Sequence, residues 1–79
     1  MKLKYVGESF YNGGGLTNGK IYKCTKINTN AGLFTIIDDE QEEYLYPIKY
    51  PKPLDDSTKA GRWEIVEDPN GELAKALEQ

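Results

Sequence analysis

Three short runs of strand-forming residues follow one another within residues 16–47, with no helical pattern between them. The runs are Ile21 to Ile27, Leu33 to Ile37 and Tyr44 to Tyr46, and each is rich in β-branched or aromatic residues. Asn, Gly and Asp cluster between the runs, and these residues favour turns because they tolerate positive φ or hydrogen-bond to nearby backbone. The stretch therefore predicts two successive β-hairpins and an all-β fold.

The flanking segments predict two further strands. Leu3 to Val6 forms the first strand and Trp63 to Val66 the last, which gives five strands in all. Residues 7–19 form a long first loop, residues 47–50 are long enough for one 3₁₀ turn, and residues 51–62 form an irregular insertion.

In the second strand, Lys20 to Asn28, the apolar side chains do not alternate regularly between the two faces. Tyr22 and Cys24 fall on one face of the strand, whereas Ile27 falls on the other. Because a shift of one residue exchanges the two faces of a strand, we predict a bulge or sharp bend near residues 25–26, as strongly curved small sheets require.

One domain over residues 1–68 and a C-terminal tail over residues 69–79 complete the expected organisation. Glu72 to Gln79 has helical spacing, and Asn70 is placed to cap it. A helix of this length is not stable unless it docks on the rest of the protein. We therefore expect a frayed tail that is at most partly helical.

The core must be built from few aliphatic side chains. Only 38% of the 79 residues are apolar, but six Tyr, two Phe and one Trp are present. Each aromatic ring buries a large area, and a chain of this size has a thin margin of stability. We therefore expect a core of aromatic and β-branched residues that includes Tyr5 and Cys24.

The composition disfavours enzymes and metal proteins. With no His and one Cys, the chain lacks the commonest general base and metal ligand, so we expect no catalytic residues, no metal and no cofactor. Neither a disulfide framework, a signal-peptide pattern nor a run of membrane-spanning length is found in the sequence. These features predict a cytoplasmic monomer that engages no membrane.

The net charge of the chain is −3, and the charged residues are distributed unevenly along the sequence. Residues 1–26 carry five Lys against one Glu, whereas residues 38–79 carry five basic and twelve acidic residues. Phosphate contacts supply most of the affinity for nucleic acid, so the acidic balance disfavours nucleic acid as a partner. The alternative is a basic stripe on the first two strands, formed by Lys2, Lys4, Lys20, Lys23 and Lys26. The same lysines could instead protect exposed strand edges from aggregation.

The acidic cluster at residues 38–43 indicates a solvated hairpin turn. A cation site is the competing interpretation, but the spacing of these carboxylates does not match a calcium-binding loop.

The segments Leu16 to Tyr22, Ile36 to Asp39 and Tyr44 to Pro47 resemble small uncharacterised SH3-like proteins of Gram-positive bacteria and their phages. This resemblance implies a strongly bent, five-stranded antiparallel barrel, and it brings no activity with it. Residues 51–62 depart from the family pattern, in which the chain passes almost directly into the last strand.

Eukaryotic signalling SH3 domains are a more distant comparison. Pro47-x-x-Tyr50 resembles their Pro-x-x-Tyr element, whose Tyr helps to line the groove for proline-rich peptides. Their alanine-leucine-tyrosine-aspartate-tyrosine motif and their paired tryptophans are absent from this sequence.

An aromatic groove beside the long loop is the leading candidate site, because such grooves bind extended peptides. Its predicted lining consists of Phe10, Tyr11, Tyr46, Tyr50 and Trp63. The competing interpretation places several of these rings in the core. We expect a small non-catalytic module that holds a protein or peptide partner, and the alternative is a nucleic-acid accessory protein that uses the lysine stripe.

Overall fold

The computed structural model describes residues 1–10, 14–53 and 58–78. Its elements, in chain order, are β1 (Lys2–Val6), β2 (Ile21–Asn28), β3 (Leu33–Ile37), β4 (Glu43–Pro47), β5 (Arg62–Glu67) and α1 (Glu72–Leu77). All neighbouring strands pair antiparallel, in the spatial order β4-β3-β2-β1-β5. The five predicted strands are therefore confirmed.

The predicted bulge in β2 is also confirmed. Cys24 lies opposite Ile36 and Lys26 lies opposite Thr35, so Thr25 has no partner in the ladder. The extra residue returns Ile27 to the face on which Cys24 lies, where it packs against the core. A bulge bends the strand that carries it; here it follows the part of β2 that pairs with both β1 and β3, and beyond it β2 pairs with β3 alone.

The structure shows a sheet and does not show the closed barrel that the resemblance implies. Within the described ranges, β4 pairs with β3 alone and β5 pairs with β1 alone. The chain is therefore a mostly β protein with one five-stranded antiparallel sheet and one short C-terminal helix.

Aromatic rings fill the inner face of the sheet, as the composition predicts. Trp63 lies at their centre, with ring centroids 5.9 Å from Tyr5, 6.5 Å from Tyr22 and 6.4 Å from both Phe34 and Tyr46. All four contacts are edge-to-face, an arrangement that adds to the stabilisation from burial. The buried apolar side chains are Leu3, Tyr5, Leu16, Tyr22, Cys24, Phe34, Ile36, Tyr46, Ile48, Trp63, Leu73 and Ala76.

The predicted 3₁₀ turn at residues 47–50 is wrong. β4 continues through Pro47, and Ile48 to Tyr50 then form bends. Tyr50 has a φ of 58°, which is left-handed and cannot continue a right-handed 3₁₀ turn.

The C-terminal segment is a docked helix and not the frayed tail that the sequence predicts. Leu73 has no exposed surface and Ala76 is 3% exposed, so one face of α1 packs on the core. Asp68 caps the helix in place of Asn70, because its carboxylate accepts the backbone N–H groups of Leu73 and Ala74, each at 3.0 Å. No helix within the described ranges has the length and apolar character needed to cross a membrane.

The described ends of the 51–62 insertion pack against the sheet. Pro51 and Thr58 are buried, and the Gly61 N–H donates to the Pro51 carbonyl at 2.9 Å. Position 61 has no room for a side chain, because a Cβ there would lie 2.6 Å from the Tyr5 ring. Glycine is therefore required at this position. Residues 54–57 lie outside the described ranges.

Candidate functional site

Three of the five predicted groove residues come together, but in the core. Phe10 lies 6.1 Å from Tyr46, and Tyr46 lies 6.4 Å from Trp63, measured between ring centroids. Tyr46 and Trp63 are only 7% and 6% exposed, and Phe10 is half-buried against the same cluster. The structure thus gives these rings a packing role, and their role in binding stays a prediction.

Tyr50 stands apart from this cluster. It is 69% exposed, the largest exposed fraction among the large hydrophobic side chains of the described residues. Its neighbours Ile48 and Lys49 line a groove of about 260 Å³ between the β2–β3 turn and α1. The remaining lining residues are Thr29, Gly32 and Ala76. Tyr11, the fifth predicted residue, lies outside the described ranges.

Two further apolar side chains are exposed on β4, at one edge of the sheet. Leu45 is 61% exposed and Tyr44 is 47% exposed. Leu45 lies opposite Thr35 on the outer face of the sheet, and Tyr44 lies opposite the buried Ile36. Pro47 shares the outer face with Leu45 and leads directly into the Ile48 side of the groove.

Four of the five lysines of the predicted stripe share the outer face of the sheet, and Lys20 does not. Lys2 lies directly opposite Lys23 on the outer face, and Lys26 follows on that face beyond the bulge. Lys4 shares the face but lies 3.9 Å from Glu64. Lys20 leaves the stripe, because its ammonium group lies 2.7 Å from Asp39 and 5.7 Å from the centre of the Tyr22 ring.

The first two residues of the acidic cluster are structural and not a solvated turn. Asp38 is 2% exposed, and its Oδ2 accepts a hydrogen bond from the Tyr46 hydroxyl at 2.7 Å. Its Oδ1 accepts the Glu40 backbone N–H at 2.9 Å. Burial, followed by the hydrogen bond to Asp38 and then the Asp38 charge, raises the pKa of Tyr46 well above its ordinary value, so this hydroxyl donates as a neutral group.

Asp39 joins the first loop to the β3–β4 turn. Its Oδ1 accepts hydrogen bonds from the Tyr22 hydroxyl at 2.8 Å and from the Lys20 ammonium at 2.7 Å, and its Oδ2 accepts from the Thr17 hydroxyl at 2.7 Å. Burial alone would raise the pKa of Asp39, but these hydrogen bonds outweigh burial and lower it. Burial raises the pKa of Tyr22 to about 12, so Tyr22 is a neutral donor at physiological pH.

The sequence offered a weak signal for this network. Two aspartates directly follow the apolar strand β3, where the first residue beyond a buried strand can still point inward. The chain has six Tyr, and any tyrosine hydroxyl buried in the core needs a hydrogen-bond acceptor such as a carboxylate. The partners lie 8 and 17 residues away in sequence, so local pattern does not identify them.

Metal-ligand clusters and the single cysteine were the remaining candidates. No set of three His, Cys, Asp or Glu side chains there is placed to hold a metal ion. Cys24 is buried as predicted, its thiol donates to the Lys26 carbonyl at 3.3 Å, and burial raises its pKa.

Comparison with known proteins identifies no relative. The chain matches no protein-family model, and no curated protein or solved structure is significantly similar to it. The suggested family resemblance is therefore supported only as far as a small all-β protein with a five-stranded antiparallel sheet.

Proposed function

We propose that this protein is a non-catalytic binding module that holds a peptide segment of a protein partner. Its binding surface, called here the β4 surface, consists of Tyr44, Leu45 and Tyr50 together with the groove beside Ile48. The observation that carries this proposal is the exposure of these three side chains, at 47%, 61% and 69%, within one short stretch of chain. Tyr44 and Leu45 lie on opposite faces of the sheet at its β4 edge, so an extended peptide that follows this edge would contact both. Exposed apolar side chains are typical of interaction sites.

The chemistry of the surface supports a peptide as the partner. Tyrosine combines a large apolar ring with a hydrogen-bonding hydroxyl and few rotatable bonds, which makes it common at interfaces. The adjoining groove, at about 260 Å³, is near the lower end of the range for binding pockets, which is roughly 300–1,000 Å³. A single side chain of a bound peptide would fill it.

We further propose that the sheet belongs to the SH3-like class. The spatial order β4-β3-β2-β1-β5, the long β1–β2 loop and the bulge that divides β2 support this assignment. In such a fold the two edge strands approach each other at the Pro47 end of β4, where the Trp63 indole N–H donates to the Pro47 carbonyl at 3.1 Å, while the Glu43 to Leu45 part of the β4 edge stays open within the described ranges.

Selection of peptides on the purified protein tests the binding function. Random displayed peptides of about ten residues would be selected on it, and the dissociation constant of an enriched peptide measured by fluorescence anisotropy. The variant Leu45→Ser/Tyr50→Ser should weaken binding about ten-fold or more, because truncating central apolar contacts commonly has this effect. A matched control is Ile21→Ser/Val66→Ser, since these side chains are 50% and 45% exposed but lie on β2 and β5. No enrichment over an unrelated bait, or equal weakening by the control, would refute the proposal.

A second candidate function is supported by the outer face of the sheet. Lys2 and Lys23 are directly opposed across β1 and β2, and like charges in this position destabilise a sheet; Glu67, opposite Lys2 on β5, offsets part of this repulsion. A bound polyanion such as single-stranded nucleic acid would relieve that repulsion. Binding of an oligonucleotide should then fall steeply between about 50 and 200 mM salt, and Lys2→Gln/Lys23→Gln should reduce the slope. Absence of binding at the lower salt concentration would exclude this function.

A further inference from the structure

The outer edge of β4 has no strand partner among the described residues, and it carries apolar side chains as well as backbone groups. β4 pairs with β3 on one side, and no described strand pairs with its other side. An exposed strand edge is a template for another strand. The binding mode of the β4 surface therefore depends on which backbone groups point outward.

The hydrogen-bond pattern of the hairpin identifies these groups. The Asp38 N–H donates to the Glu42 carbonyl at 3.1 Å, in the same register as the β3–β4 ladder. Hydrogen-bonded and non-hydrogen-bonded pairs alternate along an antiparallel ladder, so Tyr44 and Tyr46 direct their backbone groups toward β3. Glu43 and Leu45 direct theirs away from it.

Pro47 provides an independent check on this pattern. It lies two residues beyond Leu45, so its carbonyl should also point outward. That carbonyl accepts the Trp63 indole N–H at 3.1 Å, a side-chain donor on β5 and not a backbone donor of β3. The outward edge available to a partner is therefore limited to Glu43 and Leu45, because Pro47 has no N–H and its carbonyl is already bonded.

Charge at the start of this edge indicates the chemistry of the partner. Glu40, Glu42 and Glu43 are all exposed, and none forms an ion pair with a described residue. A cationic side chain at the corresponding end of an added strand would complement these carboxylates. The same glutamates, the shortness of β4 and Pro47 protect the edge against indiscriminate pairing.

We propose that an extended peptide with a Lys or Arg near one end adds as a sixth strand on β4. It hydrogen-bonds to the backbone of Glu43 and Leu45 and places its cationic group beside Glu42 and Glu43. This inference rests on the proposed peptide-binding function and specifies its mode. Strand addition gives affinity through main-chain hydrogen bonds and specificity through alternate side chains.

A second copy of this chain is a poorer occupant of the edge. Two-fold antiparallel pairing centred on Leu45 would place Glu43 opposite Pro47 of the other copy, which offers no N–H. Parallel pairing would bring the acidic ends of the two edges together. Either arrangement forms fewer favourable contacts than a basic extended peptide.

The test uses an enriched peptide from the selection described above and three measurements on the full chain. Hydrogen exchange should show slowed exchange of the Glu43 and Leu45 amides when the peptide is bound. Leu45→Pro should weaken binding about five-fold more than Leu45→Ser does, since both variants remove the leucine side chain but only proline removes the outward N–H, and the β3 ladder stays intact in both. Glu42→Gln/Glu43→Gln should weaken binding about three-fold at low salt, and the effect should disappear at about 0.5 M salt.

Each outcome distinguishes this inference from the function on which it rests. Peptides that bind at Tyr50 without slowing exchange at Glu43 and Leu45 would overturn strand addition and leave the binding function intact. Enrichment of peptides without Lys or Arg would overturn the charge assignment. If no peptide binds, both proposals fail. Should Leu45→Pro not fold, the exchange measurement on the unmodified chain decides.

Discussion

The hydrogen bond between Tyr46 and Asp38 provides the sharpest test of how this small core is stabilised. The Tyr46 hydroxyl donates to Asp38 Oδ2 at 2.7 Å, with the two residues 7% and 2% exposed. A hydrogen bond to a charged group contributes about 1.5–3 kcal/mol, and a buried group left without a partner costs about 1–3 kcal/mol. Asp38→Ala removes the acceptor and leaves the hydroxyl unpaired, so we expect a loss of about 3 kcal/mol in the free energy of unfolding.

That loss is large on the scale of the whole molecule. Proteins gain about 0.05–0.15 kcal/mol of stability per residue, and this chain has 79 residues, which gives a total of roughly 4–12 kcal/mol. Tyr46→Phe removes the donor and leaves Asp38 Oδ2 unpaired, so it should cost about 2 kcal/mol. The double variant lacks both partners, and its loss should be about 1–2 kcal/mol smaller than the sum of the single losses.

Urea unfolding followed by Trp63 fluorescence measures these changes directly. Trp63 is the single tryptophan of the chain and is packed against four rings of the core. Glu42→Ala is the matched control, because Glu42 is an exposed carboxylate on the same turn and should change stability by less than about 0.5 kcal/mol. If Asp38→Ala costs no more than Glu42→Ala, or the double loss equals the sum of the single losses, the hydrogen bond is not stabilising.

Three further predictions concern Tyr22, Asp39 and the docked helix. The pKa of Tyr22 is raised from 10.0 to about 12, so the stability that neutral Tyr22 provides is complete below pH 10 and should be lost as the pH rises through 12. The urea concentration at the midpoint of unfolding should therefore fall over this range. Tyr22→Phe should make that fall smaller. The pKa of Asp39 is lowered from 3.8, so the stability that ionised Asp39 provides is present above that value and should be lost as the pH falls below it. Asp39→Asn should reduce this loss of stability in acid. If the free energy of unfolding of the variant depends on acid pH as that of the unmodified chain does, Asp39 is not stabilising. Leu73 has no exposed surface, so Leu73→Ala should lower the free energy of unfolding by about 2–4 kcal/mol; a loss below about 0.5 kcal/mol in the urea titration would show that α1 does not dock.

The strands were predictable because their signal is local. β-branched and aromatic runs bounded by turn residues fix where strands begin and end, and β3 agrees with its predicted bounds at both ends. The bulge was predictable for a related reason. Ile27 could reach the core together with Tyr22 and Cys24 only if one residue dropped out of the ladder, and Thr25 is that residue.

The errors concern contacts between segments distant in sequence. Asp38 and Asp39 belong to a cluster whose composition is typical of a solvated turn, yet tyrosine hydroxyls from other segments bind both carboxylates. The C-terminal helix is too short to predict from propensity, and it forms because Leu73 and Ala76 bury against the core. The left-handed conformation of Tyr50 has no sequence signal, because tyrosine rarely adopts it.

Residues from both predicted sites, the aromatic groove and the lysine stripe, take part in the packing and hydrogen bonding of the core, and so do two residues of the acidic cluster. A chain with few aliphatic residues fills its core with tyrosines, and each buried tyrosine brings a hydroxyl that requires a partner. Asp38 and Asp39 provide acceptors for Tyr46 and Tyr22, so acidic and aromatic residues that would otherwise indicate a site are used for folding. Lys20 is used in the same way, as the counterion of Asp39.

The large apolar side chains that the core leaves exposed are the ones to test for a function. Tyr44 and Tyr50 are exposed although the same residue type fills the core, and Leu45 is 61% exposed in a chain that has few aliphatic residues to spare. Exposing these side chains forgoes burial worth roughly 1.5–3 kcal/mol for each large apolar residue, in a protein whose size already limits its stability. β2 and β5 also expose apolar side chains at a similar cost, namely Ile21, Ile65 and Val66. β4 differs from those strands because it leads directly into Tyr50 and the groove beside Ile48, and for that reason we propose the β4 surface as the first place to test for binding.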